Sequence, residues 1–313
     1  MNPAWSVIFL TTLLGVGQGL FLALCGAEFA ASLELGVKPP PAGFYIAGSA
    51  LSLVFLVSGL VASIFHLGHP ERGWRAAAMW RTSWLSREVI ALPAFMAVVF
   101  AYGVAHYVDS AASPWIGAAG AVLCIALFVC TAMIYACLKF LQEWYTPLTL
   151  INYFLLGCAS GLTFSTVLAA LTAPALAAPL AASAAAFTLA GCVSRVVSLA
   201  RNARLKPKSS LQTAIGIKHP RIQQKAQGQM GGSFNTREFF HGKSARWLRA
   251  VKWIFLSAAF ALPLPLLAGG VALASPLLLV AAFIVQFAGL VVERWFFFAQ
   301  ARHPQNLYYE VIS

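Results

Sequence analysis

The sequence has 313 residues, of which 60% are hydrophobic and 10% are charged, and its mean hydropathy is +0.79. A soluble domain is about 45–50% apolar and about 25% charged, so the composition excludes an ordinary water-soluble protein. The formal net charge of +12 is of a size found in nucleic-acid-binding proteins. No nucleic-acid-binding motif accompanies that charge, however, and we predict no nucleic-acid partner.

Long apolar runs follow one another along the whole chain. Each is long enough to cross a bilayer core of about 30 Å, which takes about 20 helical residues. Prolines and short polar stretches separate the runs, and the period-two alternation of membrane barrel strands is absent from them. We therefore predict an all-α fold, a single membrane domain of about eight transmembrane helices near residues 5–27, 43–67, 88–108, 114–138, 148–172, 175–199, 247–273 and 276–299.

The basic residues are distributed unevenly between the two sides of this predicted bundle. Of the 21 lysines and arginines, 20 fall on the side that holds both termini, and Lys38 alone falls on the other. Short loops rich in Lys and Arg stay in the cytoplasm. The count predicts that both termini lie in the cytoplasm.

The cluster with the most varied chemistry lies between the second and third spans. It contains an imidazole, a carboxylate, guanidinium groups and a hydroxyl, contributed by His66, Arg72, Arg81, Ser86 and Glu88. Ionisable groups at the edge of a membrane span are costly, which makes each of them a functional candidate. The intervening segment alternates tryptophans and arginines and is typical of an amphipathic piece lying in the interface; its members are Trp74, Arg75, Trp80, Arg81 and Trp84.

A quinone headgroup has the chemical needs that this cluster can meet. Its carbonyl oxygens accept hydrogen bonds, and it exchanges two protons with water when it exchanges two electrons. A histidine and a partly desolvated carboxylate suit such proton traffic. The structural alternative is that His66 only satisfies the end of its helix and that Glu88 only pairs with Arg87 or Arg72. Both interpretations are open at this point.

The sequence offers no clear ligand set for haem or an iron–sulfur cluster. Haem b in a helical bundle needs two histidines at similar depth. His66 and His106 fall at opposite ends of their predicted spans, and His69 and His303 each precede a proline outside the spans. The six cysteines lack the short CxxC spacing of metal sites. We expect no haem and no iron–sulfur cluster to be bound by this chain.

The longest polar segment, 201–246, has two interpretations. It carries ten basic residues interleaved with Gln, Gly and Ser, and loops of this length are usually functional or disordered. One interpretation is a cytoplasmic loop held near anionic membrane lipid. The other is a docking arm for a cytoplasmic partner, with Arg204 and Lys208 joining Arg75 and Arg81 in the contact.

Polar and small residues inside the spans complete the candidates. In the last span Gln286 and Glu293 are seven residues apart and predict a polar line facing the interior, with Arg294 as the expected partner of Glu293. In the first span Gly15 and Gly19 predict close helix packing. Two residues near the cytoplasmic ends of other spans are weaker candidates for a quinone pocket, Tyr135 and Arg195.

Two short motifs resemble those of a known family. Residues 66–72 read His-Leu-Gly-x-Pro-x-Arg, and residues 83–88 read Ser-x-Leu-Ser-x-Glu. Both are similar to the signature of the DmsC family, membrane anchor subunits of molybdenum oxidoreductases. The Gly17-Gln18 dipeptide and the closing span with Gly289 and Arg294 extend the resemblance. It implies an anchor that binds quinone near His66 and Glu88 and docks a ferredoxin-like iron–sulfur subunit, which contacts a molybdopterin catalytic subunit.

Within that family, residues 293–298 and 302–309 are most similar to the SoeC branch, membrane subunits of cytoplasmic sulfite-oxidising complexes. This resemblance implies that electrons from sulfite reach a membrane quinone, ubiquinone or menaquinone, through this chain. A reductase anchor that oxidises quinol is the alternative in the same class. A transporter or a scaffold without redox function is the alternative of another class, although a transporter usually places its ionisable residues near the midplane.

Overall fold

The structure of the chain is a computed structural model that describes residues 1–33, 39–65, 67–222 and 241–304. The described residues form helices and connecting turns, without a β-strand. Eight helical stretches are long and apolar enough to cross a membrane. The predicted all-α bundle of eight transmembrane helices is therefore confirmed.

Within the described residues, ten α-helices build these crossings and one short connection. They are α1 (Trp5–Ser32), α2 (Ala42–Ile64), α3 (Trp84–Tyr107), α4 (Ser113–Ala136), α5 (Pro147–Thr172), α6 (Ala177–Ala203), α7 (Leu211–Ile215), α8 (Ala245–Leu256), α9 (Pro263–Ala272) and α10 (Pro276–Ala299). A π-helical turn, Ser257–Ala261, joins α8 and α9 into the seventh crossing. Helices α5, α9 and α10 begin with proline, whose missing N–H costs nothing at a first helical position.

Helix α1 begins and helix α10 ends at the same face of the bundle. The amino group of Met1 donates a hydrogen bond to the carbonyl oxygen of Ala301 at 2.8 Å. We call this face the terminal face. It also holds the connection from α2 to α3, which contains the 3-10 segment Pro70–Met79, the connection from α4 to α5, and the end of α6. The other end of the bundle is called the opposite face.

Helices α1 and α5 cross in backbone contact. Gly15 and Gly19 on α1 face Gly157 and Gly161 on α5, and each pair is spaced four residues apart. A Cβ added at Gly15 would lie 3.2 Å from the Cα of Gly157, and one added at Gly19 would lie 3.0 Å from the Cα of Cys158. Small residues permit this approach between membrane helices. The predicted packing role of Gly15 and Gly19 is confirmed.

Helix α1 continues past residue 27, where the sequence predicts its end. The charged Glu28 falls inside the helix because other helices satisfy its carboxylate near the opposite face. Tyr102 donates a hydrogen bond to it at 2.8 Å and Ser113 at 2.6 Å, and His106 Nε2 lies 3.4 Å away. Partners from α3 and α4 thus offset the cost of placing a carboxylate at this depth.

The predicted polar loop 201–246 is partly helical where the structure describes it. Helix α6 extends to Ala203, and the short helix α7 follows, capped at its start by Ser210. Residues 223–240 of this loop, like Lys38 on the other side of the predicted bundle, lie outside the described residues. The alternatives of a lipid-associated loop and a docking arm stay predictions.

The α1–α5 crossing predicts that alanine substitutions at two glycines of α1 differ sharply in their effect on stability. We expect Gly19→Ala to lower the midpoint temperature of unfolding, because the new methyl group meets the backbone of α5. Overpacking of a tight core costs about 1–3 kcal/mol, and backbone yields less readily than side chains. Gly26→Ala is the matched control, since nothing lies within 4 Å of its added Cβ. Thermal unfolding in detergent, followed by tryptophan fluorescence, measures both; equal midpoints would contradict the crossing.

Candidate functional site

The start of α3 places two of the predicted site residues inside the bundle. Ser83 caps the helix by accepting a hydrogen bond from the backbone N–H of Ser86 at 3.3 Å. The helix therefore begins at Trp84, one turn before the predicted start at residue 88. Ser86 and Glu88 fall in its first two turns and are buried, with 3% and 6% of their surfaces exposed. Their side chains thus lie just below the terminal face.

The carboxylate of Glu88 has a partner on α4. The hydroxyl of Thr131 donates a hydrogen bond to Oε1 of Glu88 at 2.5 Å. The guanidinium of Arg87 instead donates to the carbonyl oxygens of Trp80 and Arg81, at 2.9 and 2.8 Å. The structural alternative, in which Glu88 pairs with Arg87 or Arg72, is therefore not found among the described residues.

The other predicted site residues lie outside the bundle interior. Arg72 is exposed, and its Nε lies 3.7 Å from Oε1 of Glu71. The 3-10 segment that includes both residues contains no buried residue. The exposed guanidinium groups of Arg75 and Arg81 lie over the rings of Trp74 and Trp80 at 5.6 and 5.4 Å. This segment has the exposed Trp and Arg side chains of an interfacial anchor. His66 lies outside the described residues.

The predicted docking residues share the terminal face. Arg204 ends α6, and Lys208 follows in the connection to α7; both are exposed, as are Arg75 and Arg81. The structure therefore leaves these four cations available for contact with a partner or with lipid headgroups. Their docking role stays a prediction.

The sequence did not reveal a buried ionic network near Glu88. Oε1 of Glu293 lies 2.6 Å from Nε of Arg195, and Oε2 lies 3.8 Å from Nε of Arg294. All three side chains are at most 5% exposed. Arg294 also lies over the ring of Tyr153 at 3.9 Å. The closer partner of Glu293 is thus Arg195 on α6, rather than the adjacent Arg294 that the sequence predicts.

The inward polar line on α10 is confirmed. Gln286 and Glu293 are each 1% exposed. The amide nitrogen of Gln286 donates to the hydroxyl of Thr188 on α6 at 2.9 Å. Both polar groups of α10 therefore find partners on α6, two turns apart.

A small polar cavity lies between Thr131 and Arg294. Its volume is about 20 Å³, and it opens where α1 and α5 cross. Its polar lining consists of Thr11, Thr12, Gln18, Thr131, Tyr153, Ser160 and Arg294. A cavity of this size accommodates about one water molecule. It is far too small for a quinone headgroup.

A second polar cluster surrounds Glu28 near the opposite face. The imidazole of His106 stacks on the ring of Tyr45 at 4.0 Å and lies beside Glu28. His106 is therefore at the other end of α3 from Glu88, as the sequence predicts. Among the described residues, no group of three His, Cys, Asp or Glu side chains could hold a metal ion.

Comparisons with known proteins match the whole length of the chain. A family model described as "DMSO reductase anchor subunit (DmsC)" matches residues 1–309. The chain is 51% identical to a protein of Allochromatium vinosum that is named as a subunit of sulfite dehydrogenase, over 327 aligned positions that cover all of both chains.

The buried ion pair predicts strong coupling between two substitutions. We expect Arg195→Met and Glu293→Gln each to lower stability, because each leaves the other charge buried without its closest partner. Removing one member of a buried pair costs about 3–5 kcal/mol. The double variant should lose much less stability than the sum of the losses in the two single variants. Thermal unfolding in detergent measures all three. Arg204→Met, which removes an exposed arginine from the end of the same helix, is the control. Additive losses would show that Arg195 and Glu293 do not interact.

Proposed function

Because the chain belongs to the DmsC family of DMSO reductase anchor subunits, we propose that it binds a membrane quinone beside Glu88 and passes it electrons. As a family member, the chain is the membrane anchor subunit of a multi-subunit oxidoreductase. The family implies a catalytic subunit and an iron–sulfur subunit as its partners. Quinone binding, the direction of electron flow and the substrate are the parts that we propose here.

The observation that carries the quinone proposal is the buried carboxyl group of Glu88 just below the terminal face. One of its oxygens accepts the hydrogen bond from Thr131, and the other, Oε2, has no hydrogen bond within the described residues. A desolvated carboxyl group with one available oxygen can exchange a proton with a bound carbonyl oxygen. The carboxyl group of Glu88 can therefore interact with a carbonyl oxygen of a quinone headgroup.

The headgroup approaches Glu88 from the side of Ser86 in this proposal. The polar cavity on the Thr131 side holds about one water molecule and has no room for a six-membered ring. On the other side lie the start of α3 and the interfacial 3-10 segment, where an amphipathic molecule can enter from the lipid. Electron transfer from the partner's iron–sulfur cluster then takes place under the terminal face.

Each residue has a role that its chemistry supports. Glu88 exchanges the proton, and the hydroxyl of Ser86 donates a hydrogen bond that orients the headgroup. Arg72 and Arg81 supply positive charge at the entrance. His66, implied by the family motif, donates a hydrogen bond to the headgroup. A bound quinone, ubiquinone or menaquinone, supplies the capacity to take up two electrons and two protons.

The name of the relative supports one direction of electron flow. A protein that is 51% identical over its full length is named as a subunit of a sulfite dehydrogenase. We propose that the molybdopterin catalytic subunit oxidises sulfite, and that a ferredoxin-like iron–sulfur subunit carries the electrons to this chain. A reductase anchor with the opposite direction is the second candidate, favoured by the description of the family model.

The terminal face is cytoplasmic in this proposal, and the membrane is the bacterial inner membrane. Cations dominate the loops of this face, as expected for the cytoplasmic side. Arg75, Arg81, Arg204 and Lys208 are exposed there and can contact an acidic surface of the iron–sulfur subunit. Anionic lipid headgroups would bind the same cations at the edge of that contact.

Replacement of one carboxyl group tests the quinone site. In the purified complex we expect Glu88→Gln to lower quinone reduction by sulfite by about 10²-fold or more, the usual contribution of a general acid or base. Sulfite oxidation with ferricyanide as the acceptor should be unchanged, because ferricyanide does not need the membrane site.

Glu71→Gln is the matched control. Glu71 is an exposed carboxylate of the same connection and pairs with His69 and Arg72 on the surface. Its replacement should leave both activities unchanged. Full quinone reduction by the Glu88→Gln complex would refute the proposed site.

A further inference from the structure

Two buried side chains with unused hydrogen-bonding groups line the polar cavity. The hydroxyl of Tyr153 and Nε of Arg294 have no hydrogen-bond partner within the described residues. Their residues are only 4% and 5% exposed, and both line the cavity. A buried polar group left without a partner costs about 1–3 kcal/mol. A cavity of this volume with these polar groups in its lining has room for one water molecule and partners to hold it.

One wall of the cavity reaches Glu88 through a single hydroxyl group. Thr131 lines the cavity and donates its hydrogen bond to the carboxylate of Glu88. A hydroxyl group donates one hydrogen bond and accepts up to two others. Thr131 can therefore hold Glu88 and accept a hydrogen bond from a cavity water at the same time. This makes a continuous chain of hydrogen bonds from the carboxyl group to the water.

The opposite wall of the cavity reaches a second carboxylate. Arg294 lines the cavity and lies 3.8 Å from Glu293. Oε2 of Glu293 is buried and has no hydrogen-bond partner among the described residues. The cavity thus lies between two buried carboxylates on different helices, α3 and α10.

Polar residues continue from Glu293 to the terminal face. Arg195, Ser198 and Arg201 are spaced three residues apart on α6 and lie on one side of that helix. Asn152 on α5 donates a hydrogen bond to Ser198 at 2.8 Å, and its own Oδ1 has no partner among the described residues. The guanidinium of Arg201 donates to the carbonyl oxygen of Gln142 at 3.1 Å, in the connection from α4 to α5. The polar line therefore ends at the terminal face.

We propose that the cavity binds water and that this water, with Thr131, Tyr153 and Glu293, forms the proton route between the terminal face and Glu88. The inference rests on the proposed function, in which Glu88 exchanges protons with quinone. Glu293 becomes the inner proton-carrying carboxylate. Tyr153 is a positioning residue, since its hydroxyl holds the water.

The route supplies the protons that the proposed reaction consumes. Reduction of one quinone to quinol takes two electrons from the iron–sulfur partner and two protons. Glu88 gives a proton to one quinone oxygen and receives another from the cavity water through the hydroxyl of Thr131, and the same steps then deliver the second proton. Glu293 takes up a proton from the terminal face and passes it to the water, and it then returns to the carboxylate that pairs with the arginines. The arginines keep their protons and hold Glu293 in place.

The test uses Tyr153→Phe in the whole complex. This change removes only the hydroxyl and keeps the ring over which Arg294 lies. We expect kcat for quinone reduction by sulfite to fall about tenfold, below the 10²–10⁴-fold of a full general acid. The KM for quinone should be unchanged, and the solvent deuterium isotope effect should increase, because proton delivery becomes slower. Activity with ferricyanide should be normal.

Tyr45→Phe is the matched control. Tyr45 is a buried tyrosine of the opposite-face cluster, far along the bundle from the cavity. Its replacement should leave the rate and the isotope effect of quinone reduction unchanged. A second readout needs no quinone: infrared spectroscopy should show slower exchange of the Glu88 carboxyl proton in D₂O in the Tyr153→Phe complex. The Glu88→Gln complex identifies that band.

The outcomes separate the route from the quinone site. A Tyr153→Phe complex with normal rate, isotope effect and exchange, beside an inactive Glu88→Gln complex, would overturn the route and leave the site intact. Normal quinone reduction in both would overturn both. If Tyr153→Phe fails to assemble, Thr131→Ser and Thr131→Val decide. Serine keeps the hydroxyl and should be active, whereas valine should show the slow rate and the larger isotope effect. Equal rates in these two variants would overturn the route.

Discussion

The close crossing of α1 and α5 is the constraint on which the centre of the bundle depends. Four glycines, Gly15 and Gly19 against Gly157 and Gly161, let the two backbones touch. The crossing brings hydroxyl and amide groups of α1 opposite Tyr153 and Ser160 of α5. Without it, these polar groups would face lipid, which provides no hydrogen-bond partner. Close packing of small residues is thus the condition on which the polar interior depends.

The second constraint is the cost of charge inside a membrane. The structure meets it by pairing every carboxylate within the described spans with groups from other helices. Glu28 is held by α3 and α4, Glu88 by α4, and Glu293 by α6 and its own neighbour. Breaking such a buried pair is costly, whereas apolar replacement of the whole pair is often neutral. Retaining these charges is therefore more simply explained by proton chemistry than by stability, and their positions near the two faces keep them close to water.

Much of the fold and half of the site could be predicted from the sequence. Apolar run lengths gave all eight crossings, because the bilayer thickness fixes helix length. Glu88 became a candidate because charges at a span edge are rare, with the hydroxyl of Ser86 beside it, and Gln286 and Glu293 were predicted to face the interior from their helical spacing. Thr131 and Tyr153 could not be assigned to the site, since they come from two other helices whose registers depend on packing. Arg195 was a weaker candidate, and its pairing with Glu293 could not be predicted for the same reason. Glu28 was placed outside its helix because its partners Tyr102 and Ser113 are distant in sequence.

The central claim is that a quinone headgroup binds beside Glu88, under the terminal face. The most direct measurement is photocrosslinking of the purified complex with an azido-quinone, followed by peptide mapping. The account predicts label on the 3-10 segment and the first turns of α3, from Pro70 to Glu88, and competition by unmodified quinone. The bundle also has an apolar cavity of about 310 Å³ towards the opposite face, lined in part by Gly26, Ala30 and Pro179. Competed label on that cavity, with none on the start of α3, would contradict the account.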